Sequence, residues 1–212
     1  MPRISRHIFA LSILSAAICP AQWELGALGG FGFHNNRTVA GRAGTAAATF
    51  RSGPAWGFLG AHDTYRFVSG EMRYVFRATD PKLSQGQTTA AFNGHAHLVH
   101  ADFLVHARKT GSRIRPFLSA GGGIKVFRGT GTETAAQPLN RFALLTKTRE
   151  VKPLLSAGGG VKFALSPHFS VRAEFRDYIT PFPERVIAPA PGASIGGLLH
   201  DLAPLIGLSV TF

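Results

Sequence analysis

The chain has 212 residues and a formal net charge of +12. Charged residues make up 16% of it, against a usual share of about 25%, and glycine is abundant at 25 residues. The cations are scattered along the chain rather than gathered in a basic arm or helix, so the charge does not indicate a nucleic-acid partner.

Residues 1–21 have the three zones of a secretory signal peptide: a basic start, an apolar stretch and a small-residue cleavage site at Ala21. The apolar stretch, Ile8 to Ile18, is too short to span a bilayer as a helix. We therefore expect a signal peptide at 1–21 and one exported domain at 22–212. Cleavage would remove the one cysteine, Cys19, and leave no thiol or disulfide chemistry.

The remaining chain alternates between apolar and polar positions with the period of two that is typical of β-strands. No stretch after residue 21 reaches the ~18 consecutive apolar residues of a transmembrane helix. The pattern predicts eight strands, at 23–34, 56–61, 68–77, 93–108, 115–127, 152–164, 169–178 and 202–212. The four longer segments between them, 35–54, 78–89, 128–148 and 180–199, are predicted to be loops.

The last two predicted strands show the alternation most clearly. In 169–178 one face is apolar and ends in Phe175, while the other face carries Arg172, Glu174 and Arg176. In 202–212 one face is entirely apolar and ends on the aromatic Phe212. A closed barrel satisfies all backbone groups between its strands, so its apolar face can meet lipid and its charged face can line the interior.

Two of the predicted strands are copies of one motif. Residues 115–127 and 152–164 share the sequence Pro-x-Leu-Ser-Ala-Gly-Gly-Gly. Two copies are too few for a solenoid or propeller, and no helix carrying Lys-Ser or Lys-Thr follows the glycines, as a phosphate-binding loop would require. The glycines are therefore expected to serve packing in a curved sheet.

These features resemble the OmpA-like eight-stranded outer-membrane β-barrel domain of Gram-negative bacteria. The resemblance is carried by Arg115 to Gly123, by Gly158 to Tyr178, and by the terminal Gly207, Val210 and Phe212. It implies an all-β fold, a single antiparallel up-and-down transmembrane barrel. It also implies an outer-membrane location, with periplasmic termini and extracellular long loops. The terminal run is similar to the β-signal that the barrel assembly machinery reads.

The predicted inward faces carry ten charged residues. They are Glu24, Glu71, Arg73, Arg77, Asp102, Lys125, Lys162, Arg172, Glu174 and Arg176. An eight-stranded barrel is only wide enough for side chains to fill it, and unpaired buried charges are costly. We therefore expect crossing arginine–carboxylate pairs that plug the lumen, with Glu174 and Asp102 among the anionic partners. The alternative is a narrow, anion-favouring channel, because cations outnumber carboxylates in this set.

Two constellations invite a chemical interpretation. His95 and His97 share a face at a spacing that suits a metal pair, but a third ligand is not evident, and we predict no metal or cofactor. His168, Ser170 and Glu174 resemble the catalytic group of outer-membrane lipid A deacylases. Val171 stands where that family has asparagine, so we predict that the chain is not an enzyme and keep lipid A modification as an alternative.

The sequence thus predicts a structural or surface-interaction barrel. Its expected partners are outer-membrane lipid and lipopolysaccharide, which are the acidic neighbours of an exported basic domain, and the barrel assembly machinery during insertion. We expect a monomer. Soluble, lipocalin-like binding is disfavoured, because the aliphatic and aromatic faces would then have to surround a ligand.

Overall fold

The computed structural model describes residues 23–134 and 136–212, so the expected signal peptide lies outside the described residues. Within these ranges the chain forms fifteen strands. They are β1 (Trp23–His34), β2 (Arg37–Gly41), β3 (Gly44–Phe50), β4 (Gly53–Tyr65), β5 (Val68–Ala78), β6 (Pro81–Gln85), β7 (Thr88–Ala91), β8 (Gly94–His106), β9 (Ile114–Gly129), β10 (Ala143–Leu145), β11 (Arg149–Ala164), β12 (Phe169–Pro181), β13 (Ile187–Pro189), β14 (Ser194–Ile195) and β15 (Leu198–Thr211). No described helix is long and apolar enough to cross a membrane.

Eight of these strands close into an antiparallel barrel. Their order around the ring is β1, β15, β12, β11, β9, β8, β5 and β4, and they correspond one to one with the eight predicted strands. The ring closes between β1 and β15, where Trp23 and Phe212 exchange two backbone hydrogen bonds of 3.0 Å. The predicted fold class, a single eight-stranded up-and-down barrel, is confirmed.

The barrel wall separates two environments. Apolar side chains such as Phe103 and Leu118, each 73% exposed, cover the outside, and Phe175, Val210 and Phe212 also point outward. Aromatic rings lie near the strand ends; Trp56 and Phe76, for example, stack with centroids 5.3 Å apart. The outer surface therefore has the apolar band and aromatic girdle that a lipid-facing barrel needs.

The two copies of the glycine motif lie side by side. β9 pairs with β11 antiparallel, with Ala120 opposite Ala157, so the copies are related by an approximate two-fold axis. The glycines that face inward approach neighbouring backbone closely. A Cβ at Gly123 would lie 2.5 Å from the Cα of His100 on β8, so glycine is needed for the strands to curve this tightly.

The long connections differ from the prediction. Residues 35–54, 78–89, 128–148 and 180–199 were expected to be loops, but the other seven strands form there, with β7 continuing to Ala91. β14, β2, β3, β6 and β7 form a five-stranded sheet, and β10 pairs with β13. These segments are rich in Ala, Gly and Thr and lack a clear polar–apolar alternation, so their pairing depends on the barrel strands that anchor their ends.

The loop strands cover one end of the barrel with an apolar cluster. Phe50 contacts Phe127 and Phe182, with ring centroids 5.4 and 6.1 Å away. Phe142 and Leu145 are almost completely buried in the same cluster. At the other end, the described residues form the short connections 66–67, 107–113 and 165–168. The two ends of the barrel are therefore chemically different.

Candidate functional site in the barrel interior

A central tier of ion pairs joins β5 to β12. Both terminal guanidinium nitrogens of Arg73 donate to Glu174, with Nη2 2.7 Å from Oε2. The Arg73 Nε also donates to Glu71. Arg172 returns across the lumen and donates from Nη1 to Oε2 of Glu71 at 2.6 Å. β5 and β12 stand four places apart in the ring of eight, so these pairs span its full diameter.

Arg176 extends the central tier toward β8. Its Nη1 donates to Oδ2 of Asp102 at 2.8 Å, and its Nη2 lies 3.3 Å from Oε1 of Glu71. The Nδ1 atom of His100 is 3.1 Å from the same Asp102 oxygen. All of these side chains are buried. The tier therefore holds three arginines and three carboxylates in contact with one another.

An upper tier lies toward the end of the barrel that carries the long connections. It is organised by Asp201 on β15, a residue that is absent from the predicted lumen set. Arg77 Nη2 donates to Oδ1 of Asp201 at 2.6 Å, and Lys125 Nζ donates to Oδ2 at 2.7 Å. His34 Nε2 lies 3.4 Å from Oδ2. The last strand was predicted to begin at Leu202, four residues after the start of β15 at Leu198. Extending its alternation by one residue would have placed Asp201 on the inward face.

A lower tier lies near the short connections. Lys162 Nζ donates to Oε2 of Glu24 at 2.6 Å. Arg115 Nη1 donates to Oδ2 of Asp63 at 2.8 Å, and the Ser69 hydroxyl donates to the other Asp63 oxygen. Asp63 lies beyond the predicted second strand, 56–61, because β4 continues to Tyr65. A cavity of about 430 Å³ opens below this tier, and its lining includes Glu24, Asp63, Arg115 and Lys162.

The structure places all ten charged residues of the predicted lumen set inside the barrel, and each contacts a partner of opposite charge. Asp63, Asp201 and Arg115 join them. Buried charges are tolerated only when they are paired and hydrogen-bonded. In the part of the chain that the structure describes, this network joins six carboxylates to seven lysine and arginine side chains.

The terminal strand places its three predicted signal residues on different faces. Gly207 points inward, where a Cβ would lie 2.6 Å from Cδ2 of Leu28 and 2.8 Å from Cγ of Arg172. Val210 and Phe212 point outward and are 41% and 66% exposed. The ring of Phe212 thus lies at the rim of the barrel, and its backbone is hydrogen-bonded to that of Trp23.

The residues of the deacylase-like constellation are not in mutual contact. The Ser170 hydroxyl hydrogen-bonds with that of Ser209 at 2.8 Å, and His168 Nδ1 lies 3.1 Å from the Thr211 carbonyl oxygen. Glu174 is held by Arg73 in the central tier. Ser170 and Glu174 are four residues apart in β12, which corresponds to about 13 Å along an extended strand, so Glu174 is too far away to orient a histidine that contacts Ser170.

His95 and His97 lie together on the outer wall, with ring centroids 5.0 Å apart. His97 Nδ1 is hydrogen-bonded to the Tyr74 hydroxyl at 2.8 Å. In residues 23–134 and 136–212, the structure brings together no group of three or more His, Cys, Asp or Glu side chains that could hold a metal ion. The pair is thus part of an aromatic and basic surface on β5 and β8.

A closed eight-stranded barrel with an apolar outer band and a charged interior defines the class of transmembrane β-barrels of the outer-membrane type. No protein-family model matches the chain, and neither does any curated protein. The particular likenesses are to solved structures of eight-stranded outer-membrane barrels.

One is the outer membrane protein AlkL in lipid bilayers, at TM-score 0.53 and 10% identity over 100% of this chain and 97% of that one. Neisserial surface protein A matches at TM-score 0.52 and 11% identity, over 90% of this chain and 97% of that chain. The N-terminal β-barrel domain of Pseudomonas aeruginosa OprF matches at TM-score 0.51 and 14% identity, over the same shares. At these identities the likeness shows the fold alone, an OmpA-like eight-stranded outer-membrane barrel.

Proposed function

We propose that this protein is an outer-membrane barrel with a structural or surface-interaction role and an interior closed by its own charges. The observation that carries the proposal is the pairing of Arg73 with Glu174 and of Arg172 with Glu71 across the full diameter of the ring. These groups occupy the space in which a pore would run, and an eight-stranded barrel has little other space. The upper tier and the apolar cluster of the loop strands add two further barriers.

A narrow anion-favouring channel is the alternative. Its support was the excess of cations over carboxylates among the ten predicted residues, but Asp201 alone binds both Arg77 and Lys125. With Asp201, Asp63 and Arg115 added to the ten predicted residues, six carboxylates face seven lysine and arginine side chains. This leaves little excess positive charge to attract an anion. Planar-bilayer recordings on the purified barrel test the proposal: we expect no discrete conductance steps. Reproducible steps that favour chloride over potassium would contradict it.

We further propose that the long connections face the outside of the cell and that the short turns and both termini lie in the periplasm. This orientation is supported by the difference between the two barrel ends, since barrels of this class have short periplasmic turns and longer extracellular loops. The proposed partners are lipid and lipopolysaccharide around the wall and the barrel assembly machinery during insertion, with a monomer as the resting state.

Site-specific labelling tests the orientation. Cleavage after Ala21 would remove Cys19, the one cysteine, so single cysteines can be introduced without background. Gln87→Cys lies in the exposed connection between β6 and β7, and Lys109→Cys lies in an exposed short turn. A membrane-impermeant maleimide applied to intact cells should modify only the Gln87→Cys variant. Labelling of only the Lys109→Cys variant would reverse the proposed orientation.

Modification of lipid A is the second alternative. A Ser–His–carboxylate mechanism needs the serine and histidine in hydrogen-bond contact, whereas Ser170 contacts Ser209 and His168 contacts the Thr211 carbonyl. Mass spectra of lipid A from cells with the protein, without it, and with the Ser170→Ala variant should be identical. Loss of an acyl chain that requires Ser170 would establish the enzyme instead.

A further inference from the structure

Basic side chains form a row across the outer wall at the end that carries the long connections. The strand register places His95 opposite Arg128, and Arg128 opposite Arg149. Lys147 follows in the adjoining connection. Arg128, Arg149 and Lys147 are exposed, and His95 is half-buried. We call these four residues the outer arginine patch.

The outer arginine patch has an unusual charge arrangement for a sheet. Like charges that stand directly opposite each other on neighbouring strands destabilise the pairing. Neither Arg128 nor Arg149 forms an ion pair with a carboxylate in the part of the chain that the structure describes. Glu133 contacts the patch only through the backbone N–H of Lys147, at 2.5 Å. An external anion would relieve the repulsion between the two arginines.

Two shallow cavities meet at the arginine pair. The upper one, about 290 Å³, is lined by Arg128, Arg149 and Lys147 together with Thr130 and Thr148 of the adjoining connection. The lower one, about 280 Å³, is lined by the same two arginines with Tyr74, His97 and Val126. An anion between the arginines would therefore have polar groups above it and aromatic and aliphatic groups below it.

The position of the outer arginine patch along the barrel axis indicates what kind of anion it would bind. The next outward row below it contains Phe76, His97, Val126 and Val151, and Trp56 stacks on Phe76 at the same level. Tryptophan and tyrosine side chains of membrane proteins are enriched at the level of the lipid headgroups. The arginines thus stand about 6–7 Å above the aromatic row, two residues along the strand, with apolar wall beneath. This position suits an amphiphile with an anionic headgroup.

We propose that the outer arginine patch binds the phosphate groups of a phosphorylated glycolipid of the lipopolysaccharide kind. Arginine recognises phosphate with two parallel charge-assisted hydrogen bonds, and two facing arginines can share one phosphate or hold two. The choice of glycolipid rests on the proposed orientation, because that orientation places the patch in the outer leaflet. The acyl chains of the lipid lie along Val126 and Val151.

The test uses the full mature barrel in phosphatidylcholine nanodiscs, with native mass spectrometry to count bound lipid. The barrel is titrated with bisphosphorylated lipid A, with lipid A stripped of both phosphates, and with phosphatidylglycerol. The patch variant is Arg128→Gln with Arg149→Gln. Its matched control, Arg66→Gln with Arg108→Gln, removes the same charge from exposed positions in the short turns at the opposite end. Heat-modifiable gel mobility verifies that every variant is folded.

We expect bisphosphorylated lipid A to bind at least about tenfold more weakly to the patch variant, because the loss of one hydrogen bond to a charged group weakens binding by about tenfold. The control variant should bind as the unmodified protein does. Equal losses in both variants, or equal binding of phosphate-free lipid A, would overturn the site. Equally tight binding of phosphatidylglycerol would overturn the glycolipid. Reversed cysteine labelling with unchanged binding in nanodiscs would overturn the orientation alone.

Discussion

Arg73 on β5 donates hydrogen bonds from both terminal nitrogens of its guanidinium group to the carboxylate of Glu174, which lies on the opposite side of the barrel. The two residues are 101 positions apart in the chain. Glu71 and Arg172 make the reciprocal contact between the same two strands. Two opposed charge pairs therefore tie β5 to β12 through the middle of the barrel, and local strand pairing has no part in that connection.

Removal of Arg73 should destabilise the barrel strongly. We expect Arg73→Met to lower the free energy of unfolding by about 3–5 kcal/mol, because it leaves the buried carboxylates of Glu71 and Glu174 short of a partner. Urea unfolding in lipid vesicles, followed by heat-modifiable gel mobility, measures the change. Arg66→Met, at an exposed position, should shift stability by no more than about 0.5 kcal/mol. Equal effects of the two substitutions would contradict the role of the central tier.

Asp201 and Asp177 offer a matched pair of carboxylates on neighbouring strands. Asp201→Asn should cost about 3–5 kcal/mol, because the amide cannot neutralise the buried Arg77 and Lys125. Asp177→Asn removes a partly exposed contact with His200 and should cost at most about 1 kcal/mol. The same vesicle unfolding experiment compares them. A larger loss for Asp177→Asn would refute the organising role assigned to Asp201.

Glycine positions on the two faces of the wall should respond differently to alanine. A Cβ at Gly123 would collide with His100, whereas one at Gly70 would meet no atom within 4 Å. Gly123→Ala should therefore cost about 1–3 kcal/mol through overpacking, while Gly70→Ala should be neutral or stabilising by about 0.5 kcal/mol. Folding yield and urea midpoint of the two variants decide the matter. Similar values would show that the glycine repeat is not required by packing.

The exposed ring of Phe212 should matter for assembly more than for stability. Phe212→Ala is expected to reduce the amount of barrel in the outer membrane several-fold in cells, if the assembly machinery reads the terminal strand. Spontaneous refolding into vesicles should be nearly unchanged, since the ring is 66% exposed. Phe169→Ala, with a ring 57% exposed on the adjacent strand, is the control. Equal cellular losses for both variants would exclude a specific signal at Phe212.

Some parts of the interior could be predicted and others could not. Arg172, Glu174 and Arg176 were placed inward because they alternate with apolar residues over a whole strand. Asp201 was missed because the Gly- and Pro-rich segment 180–199 suggested a long loop and hence a strand start after Asp201, whereas β15 begins at Leu198. The loop strands were missed because short segments such as β14 have no periodicity of their own, and they form only when the barrel holds their ends together.

By itself the sequence determined the wall of this protein: the number of barrel strands, their order along the chain and the face that each strand turns to lipid. Those properties follow from the period of two in a strand, which is local. Only the tertiary structure decided which arginine meets which carboxylate, and that Arg128 stands opposite Arg149. These partners are set by the register between strands and by closure of the ring, and both are fixed by interactions among residues far apart in the chain.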